Sequence, residues 1–207
     1  MKSPTIMKNE IASPPVVALD IGDVCIHVEL ERYFGPLGFT EKPPWLHELG
    51  QELNLGHMTD DAYLMEVASH LPRRFSLEEL RELHNALLVE ANPGMPEFVA
   101  SLPPRGIRPV FFSDISLQIQ LRARELLHAQ EIITDGVFSY EVGAFKPSEQ
   151  MLRTFEERFG KPLLYLDDLP QNVEGARVRG WNAHVFHSAS QAERLLQEAL
   201  ERLPSLP

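Results

Sequence analysis

The chain has one cysteine, Cys25, among 207 residues, so no intrachain disulfide can form and the fold has to rest on buried apolar surface. A reducing, cytoplasmic setting is the simple expectation from that count. No apolar run approaches the ~20 residues that a membrane-spanning helix needs. The residues before Pro15 include Lys2 and Lys8 but lack the apolar centre of a signal peptide, and residues 1–14 read as a mobile leader. Positive charge is also scarce: 19 Lys and Arg stand against 30 Asp and Glu, a formal net charge of −11. No basic run lies beside aromatic residues, so nucleic acid is not expected as a partner. The acidic excess repels anions at long range. Any phosphate site has to be built locally, from a few cations, backbone N–H groups and a bound metal. Internal repeats and low-complexity segments are absent as well.

What is present is a set of short apolar runs that end in polar residues. Val16-Val17-Ala18-Leu19 ends at Asp20 and runs into Ile21-Gly22-Asp23, the pattern of a strand entering a tight turn. Val110-Phe111-Phe112 delivers Ser113-Asp114, and Leu163-Leu164-Tyr165-Leu166 delivers Asp167-Asp168. A fourth, weaker run spans Ala183 to Phe186. None alternates, as expected of strands buried on both faces. Helical patterns separate them: Leu117 to Leu127, then Met151, Leu152, Phe155 and Phe159 closed by Gly160, then a stretch ending near Gly180. This order predicts an α/β fold, a Rossmann-like parallel sheet flanked by helices. Ligands bind such sheets beyond the carboxyl ends of the strands, where Asp20, Ser113, Asp167 and Asp168 would emerge.

Residues 31–92 have helical periodicity and no convincing strand. Ser76 and Glu79 form a capping-box pattern, followed by an apolar stripe of Leu77, Leu80, Leu83 and Leu87. Thr59 before Asp60 and Asp61 is a second helix start, and Pro43-Pro44 and Pro93-Gly94 punctuate the ends. The expected organisation is a core of residues 15–30 and 93–207, with a small helical insert at 31–92 after the first strand.

Three strand ends thus supply carboxylates and a hydroxyl, and Gly143-Ala144-Phe145-Lys146-Pro147 supplies a lysine in a loop before a helix. Asp20, Asp167 and Asp168 close together would repel unless a divalent cation and an ammonium compensate them, and Mg²⁺ suits an all-oxygen site. Asp20 can then attack phosphorus, with Ser113, Asp114, Lys146 and the turn at Ile21 and Gly22 around the phosphoryl oxygens. The catalytic set expected is Asp20, Ser113 and Lys146.

These motifs, Asp20 in LDIGDV, Ser113 in FFSD, Lys146 in GAFKP and Asp167-Asp168 in YLDDLPQNVEGA, resemble those of the haloacid dehalogenase-like hydrolases in order and spacing across nearly the whole chain. The Asp-x-Gly-x-Val form of the first motif is most similar to the branch that includes glucose-1-phosphatase-like, small-metabolite phosphatases. The resemblance implies a metal held by Asp20, the Gly22 carbonyl and Asp168, with Asp167 in the outer shell and Asn172 orienting its loop. It also implies that the helical insert is a cap that closes over a sugar phosphate or nucleotide. Two positions depart from the family. Gly22 stands where most of its phosphatases carry a second Asp that protonates the leaving oxygen, and Asp114 stands where Asn is usual.

The competing expectations are a metal-independent dehalogenase, for which Arg32 is a weak carboxylate clamp, and a catalytically weakened protein that binds a ligand or partner. Cys25 and His27 read as packing or loop filling rather than a zinc pair. His184 and His187, three apart on a strand, would face opposite sides. Trp45, His47 and His57 either face the substrate or pack within the insert. A monomer or weak dimer acting on a small phosphorylated metabolite, away from membranes, is the expected state.

Overall fold

The computed structural model describes residues 14–203; the leader expected over residues 1–14 lies outside them except for Pro14. The elements run β1 (Val16–Leu19), β2 (Ile26–Val28), α1 (Glu31–Phe34), α2 (Pro44–Asn54), α3 (Asp60–Ser69), α4 (Leu77–Asn85), β3 (Leu88–Ala91), α5 (Met95–Ser101), β4 (Arg108–Ser113), α6 (Leu117–Leu126), β5 (Gly136–Phe138), α7 (Ser139–Val142), α8 (Glu149–Phe159), β6 (Leu164–Asp167), α9 (Pro170–Val178), β7 (Ala183–Val185) and α10 (Ala189–Glu201). Among the described residues no helix is long and apolar enough to cross a membrane.

β1 is the centre of a five-stranded parallel sheet of order β5-β4-β1-β6-β7. Its residues alternate between two cores because successive side chains point to opposite faces. Val17 and Leu19 join Phe111, Leu164 and Leu166 against α5, α6 and α10, through residues such as Phe98, Ile119 and Leu196. Val16 and Ala18 join Val110, Phe112 and Tyr165 against α8 and α9, through Met151, Phe155 and Val173. This two-sided burial accounts for the unbroken apolar runs in the sequence.

Helices α1 to α4 make a separate cluster around Tyr33, Leu46, Leu53, Tyr63, Leu64 and Leu80. The expected caps are in place: Ser76 Oγ accepts from Glu79 N–H at 3.1 Å while Glu79 accepts from Ser76 N–H at 2.7 Å, and Thr59 Oγ1 accepts from Ala62 N–H at 3.2 Å. Two expectations for this segment need correcting. Residues 88–91, read as part of a strandless segment, form β3, which pairs antiparallel with β2. The helix ends at Ala86, and the partner of β3 lies some sixty residues earlier, so nothing local announces a strand. The stripe also turns differently: Leu77 is exposed, and α4 buries Leu80 and His84 instead.

The helical unit is fastened to the sheet by polar contacts. Ser139 Oγ donates to the Asn54 carbonyl at 2.6 Å and accepts from Ile115 N–H at 2.9 Å. Ser116 Oγ donates to Asp60 at 2.8 Å, and Arg81, held within the unit by Asp61 at 2.8 Å, donates to Gln118 at 2.9 Å. Gly56, at φ +74°, follows α2 and lies so close to α7 that a Cβ would sit 2.1 Å from the Tyr140 carbonyl oxygen. Gly56→Ala is therefore expected to cost about 1–2 kcal/mol from the left-handed backbone alone, and more from the clash. Thermal unfolding of the two proteins checks this, and an unchanged midpoint would mean that the close contact with α7 is not needed.

Candidate active site

Parallel strands deliver their last residues to one edge, and β1, β4 and β6 bring Asp20, Ser113 and Asp167 there. Asp20 still belongs to the ladder, donating its N–H to the Leu166 carbonyl at 3.0 Å. The chain then folds back tightly: Cys25 and Ile26 both donate to the Ile21 carbonyl, and Asp23 adopts a φ of +50°. Among the described residues, the N–H groups of Ile21 and Gly22 have no protein acceptor. Asp23 Oδ1 accepts from Val28 N–H at 3.0 Å.

Lys146 is at the centre of the cluster. Its ammonium lies 2.9 Å from Asp20 Oδ1 and 2.7 Å from Asp167 Oδ2, and it donates to the Phe112 carbonyl at 3.0 Å. Burial alone would depress the lysine; the carboxylates of Asp20, Asp167 and Asp114 outweigh it and hold the pKa above its ordinary value. Its loop is fixed by Asp114, whose two oxygens accept from Lys146 N–H at 3.0 and 3.1 Å. The adjacent Pro147 nests on Gly175 of α9, where a Cβ would lie 2.3 Å away.

The three acids are held differently. Asp167 is fully satisfied: Oδ1 accepts from Leu169 N–H at 2.9 Å and from Asn172 Nδ2 at 3.0 Å, and Oδ2 accepts from Lys146 and the Tyr165 hydroxyl. Asp20 is buried, yet its Oδ1 receives no aligned hydrogen bond; the nearby ammonium pairs with it by charge alone. Burial raises the Asp20 pKa, Lys146 opposes that, and Asp167 adds to it. Asp168 is pushed up to about 6 by burial and by Asp20 and Asp167. Oxygens of Asp20, Asp167 and Asp168 lie within 4.8 Å of one another. Three carboxylates against one ammonium, with a buried carboxylate oxygen left without a hydrogen bond, are the donor set that a hard divalent cation fits.

All the expected site residues, Asp20, Ile21, Gly22, Ser113, Asp114, Lys146, Asp167 and Asp168, thus meet at one edge of the sheet, and all but Asp167 line a cavity of about 450 Å³ below the helical unit. The residues suspected in the insert do not line it. Trp45 stacks on His70 at 4.5 Å and His57 bonds Glu52 at 2.8 Å. Arg32 is likewise spent, on Glu29 at 2.6 Å. His187 lies beyond β7 rather than on it, and Cys25 is a buried free thiol whose pKa burial raises. Instead Tyr33, Lys42, Tyr63 and His84 line the cavity from the insert. Only the i, i+4 spacing of His84 from Leu80 hinted at its burial.

Burial, only partly offset by Lys146, pushes Asp114 from 3.8 up to about 6. The fold therefore binds a proton that the unfolded chain has already lost in that window, and stability falls as pH rises through it. In metal-free Asp114→Asn this contribution is gone, so its melting temperature should fall less than that of the parent between pH 4 and 6. Parallel pH profiles would mean that Asp114 is ionised throughout.

No family model matches the sequence, and no curated protein matches it by sequence. Solved structures do match by shape. The HAD family enzyme bt-2542 of Bacteroides thetaiotaomicron, in its magnesium complex, superposes with a TM-score of 0.74 at 15% identity over 85% of this chain and 94% of that one. A further structure of that enzyme holds magnesium and inorganic phosphate. A predicted HAD-like family hydrolase from Porphyromonas gingivalis gives 0.70 at 20% identity over 90% and 99% of the two chains. A dehalogenase gives 0.62 at 15% identity over 89% and 98%. The parallel sheet centred on β1, with its helices on both faces, is thus the fold of the HAD-family enzymes.

Proposed function

We propose that the chain is a Mg²⁺-dependent phosphomonoesterase that acts on a small phosphorylated metabolite through Asp20. The observation that carries this reading is the convergence of three carboxylates on one ammonium, with Asp20 Oδ1 buried and lacking an aligned hydrogen bond. A dehalogenase working on a carbon–halogen bond has no use for so many uncompensated acids. The metal would be held by Asp20, Asp168 and the Gly22 carbonyl, with Asp167 outside them, and would supply charge neutralisation for the phosphoryl group.

The residues of the chain do the rest. Asp20 attacks phosphorus in line, forming an oxygen–phosphorus bond as the ester oxygen departs. The unpartnered N–H groups of Ile21 and Gly22, with Ser113, receive the phosphoryl oxygens, and Lys146 offsets the charge shared between Asp20 and phosphate. Water then attacks phosphorus, releasing inorganic phosphate and restoring the Asp20 carboxylate. Asn172 and Tyr165 hold Asp167, which in turn fixes Lys146. The helical unit covers this edge and excludes bulk water.

Release of phosphate from para-nitrophenyl phosphate should require Mg²⁺, stop with EDTA, and fall on the order of a thousandfold or more in Asp20→Asn. Chloride release from chloropropionate without metal would instead support the dehalogenase reading. A second experiment uses the glycine two positions on. At Gly22 a Cβ would meet only Val28, at an ordinary 3.6 Å, so a side chain fits. Gly22→Asp should raise turnover of alkyl phosphates by on the order of a hundredfold, the scale of general acid help. It should do little for para-nitrophenyl phosphate, whose leaving phenolate needs no proton. An equal effect on both would count against a missing proton donor.

A further inference from the structure

The wall of the cavity facing the catalytic edge is largely apolar, formed by Leu30, Phe34, Leu46 and Leu53 of the helical unit with Ile115 and Ile119 of the sheet side. Two polar side chains are set into it without an aligned partner. Tyr33 and His84 are only 5% and 6% exposed, neither Tyr33 Oη nor His84 Nδ1 makes an aligned hydrogen bond, and the group that interacts with Tyr33 Oη is the Tyr63 hydroxyl of the same cavity. Their rings lie 4.9 Å apart. Buried polar atoms are nearly always satisfied, so two neighbouring exceptions in one cavity wall call for something that completes them. Burial first, and then Lys42, lower the His84 pKa to about 3, so the imidazole is neutral and can both donate and accept.

A cation stands in the same wall. Lys42 and Lys146 are the only cations among the described residues lining the cavity, and Lys146 is fully engaged. Lys42 comes from the loop before α2, with its ammonium near Gly50. The residue is exposed overall, but enough protein surrounds the ammonium for burial to lower its pKa, and no acid opposes that. In a chain with 30 acidic and 19 basic side chains, a cavity lysine without a carboxylate partner marks a place kept for an anion from outside.

We propose that this wall is the leaving-group subsite and takes a compact, largely apolar alcohol bearing a carboxylate, with Lys42 receiving the carboxylate and Tyr33 and His84 hydrogen-bonding the oxygens of that carboxylate. A hydroxyaryl carboxylate has this shape and chemistry. A sugar does not, because its ring of hydroxyls would lie against leucine, phenylalanine and isoleucine side chains that offer no partner. The sugar phosphate and nucleotide expected from resemblance are thereby replaced by a less polar class. The inference rests on the phosphohydrolase reading for where the phosphoryl group sits, but the chemistry of the wall is independent of it.

The test has two readouts. With Mg²⁺, kcat/KM for para-carboxyphenyl phosphate should exceed that for phenyl phosphate by about tenfold, the worth of a charge-assisted contact, and a hexose phosphate should be poorer than both. Lys42→Gln should collapse the carboxylate preference. Separately, calorimetry with para-hydroxybenzoate alone should show binding to the parent that weakens by about tenfold in Lys42→Gln and in Tyr33→Phe. Tyr33→Phe removes a hydroxyl that makes no aligned hydrogen bond within the protein, so its melting temperature should hold or rise. If it falls while para-hydroxybenzoate binding is unchanged, the hydroxyl is structural and the subsite is refuted. Phosphate release without any carboxylate preference refutes the subsite and keeps the phosphohydrolase. Lys42-dependent binding of para-hydroxybenzoate with no phosphate released from any ester does the reverse.

Discussion

One ammonium group holds the carboxyl edge of the sheet together. Lys146 touches the carboxylate after β1, the carboxylate ending β6 and the Phe112 carbonyl of β4, while its own N–H is gripped by the acid that follows β4. Three strands are thereby tied at their carboxyl ends by a residue that belongs to none of them. The arrangement is costly to assemble, because each charge loses its water, and the one ammonium repays only part of that for the two buried carboxylates it touches. Removing one member of such a group typically costs about 3–5 kcal/mol, since the others stay buried and uncompensated. The same tie bears on Asp20: burial raises its pKa, and the Lys146 ammonium is what opposes that rise.

Charge is handled on two scales. The chain as a whole is acidic and repels anions, whereas the cavity contains two lysines and the unpartnered N–H groups of a tight turn. An anionic substrate gains nothing until it is inside. A composition that argues against a nucleic-acid groove is thus still compatible with a local anion site, to be sought in single residues at strand ends.

The carboxylate edge was legible in the sequence because the physics that places it is local and repeated. A doubly buried parallel strand leaves an unbroken apolar run, and the residue that follows emerges at the binding edge, so Asp20, Ser113 and Asp167 could be placed from pattern alone. The ribbon of β2 and β3 was not legible, because three- and four-residue strands acquire their meaning only from each other. Nor was the recognition wall. Tyr33, Lys42 and His84 come from α1, the loop before α2 and α4, and nothing in their spacing records that helix packing brings them to one cavity. The aromatic and histidine residues that drew attention there, Trp45 and His57, are spent within the unit on His70 and Glu52.

The ribbon has a consequence for how such a protein changes over time. Both passages between the sheet and the helical unit run through β2 and β3, where Val28 stands opposite Leu88. The intervening residues therefore leave and return at almost the same point. Any exchange, lengthening or redesign of that stretch leaves the chain entering α5 where it did before, with Asp20, Lys146 and Asp167 undisturbed. The carboxylate edge and the helical unit over it can thus change separately, the latter within one contiguous stretch of about sixty codons.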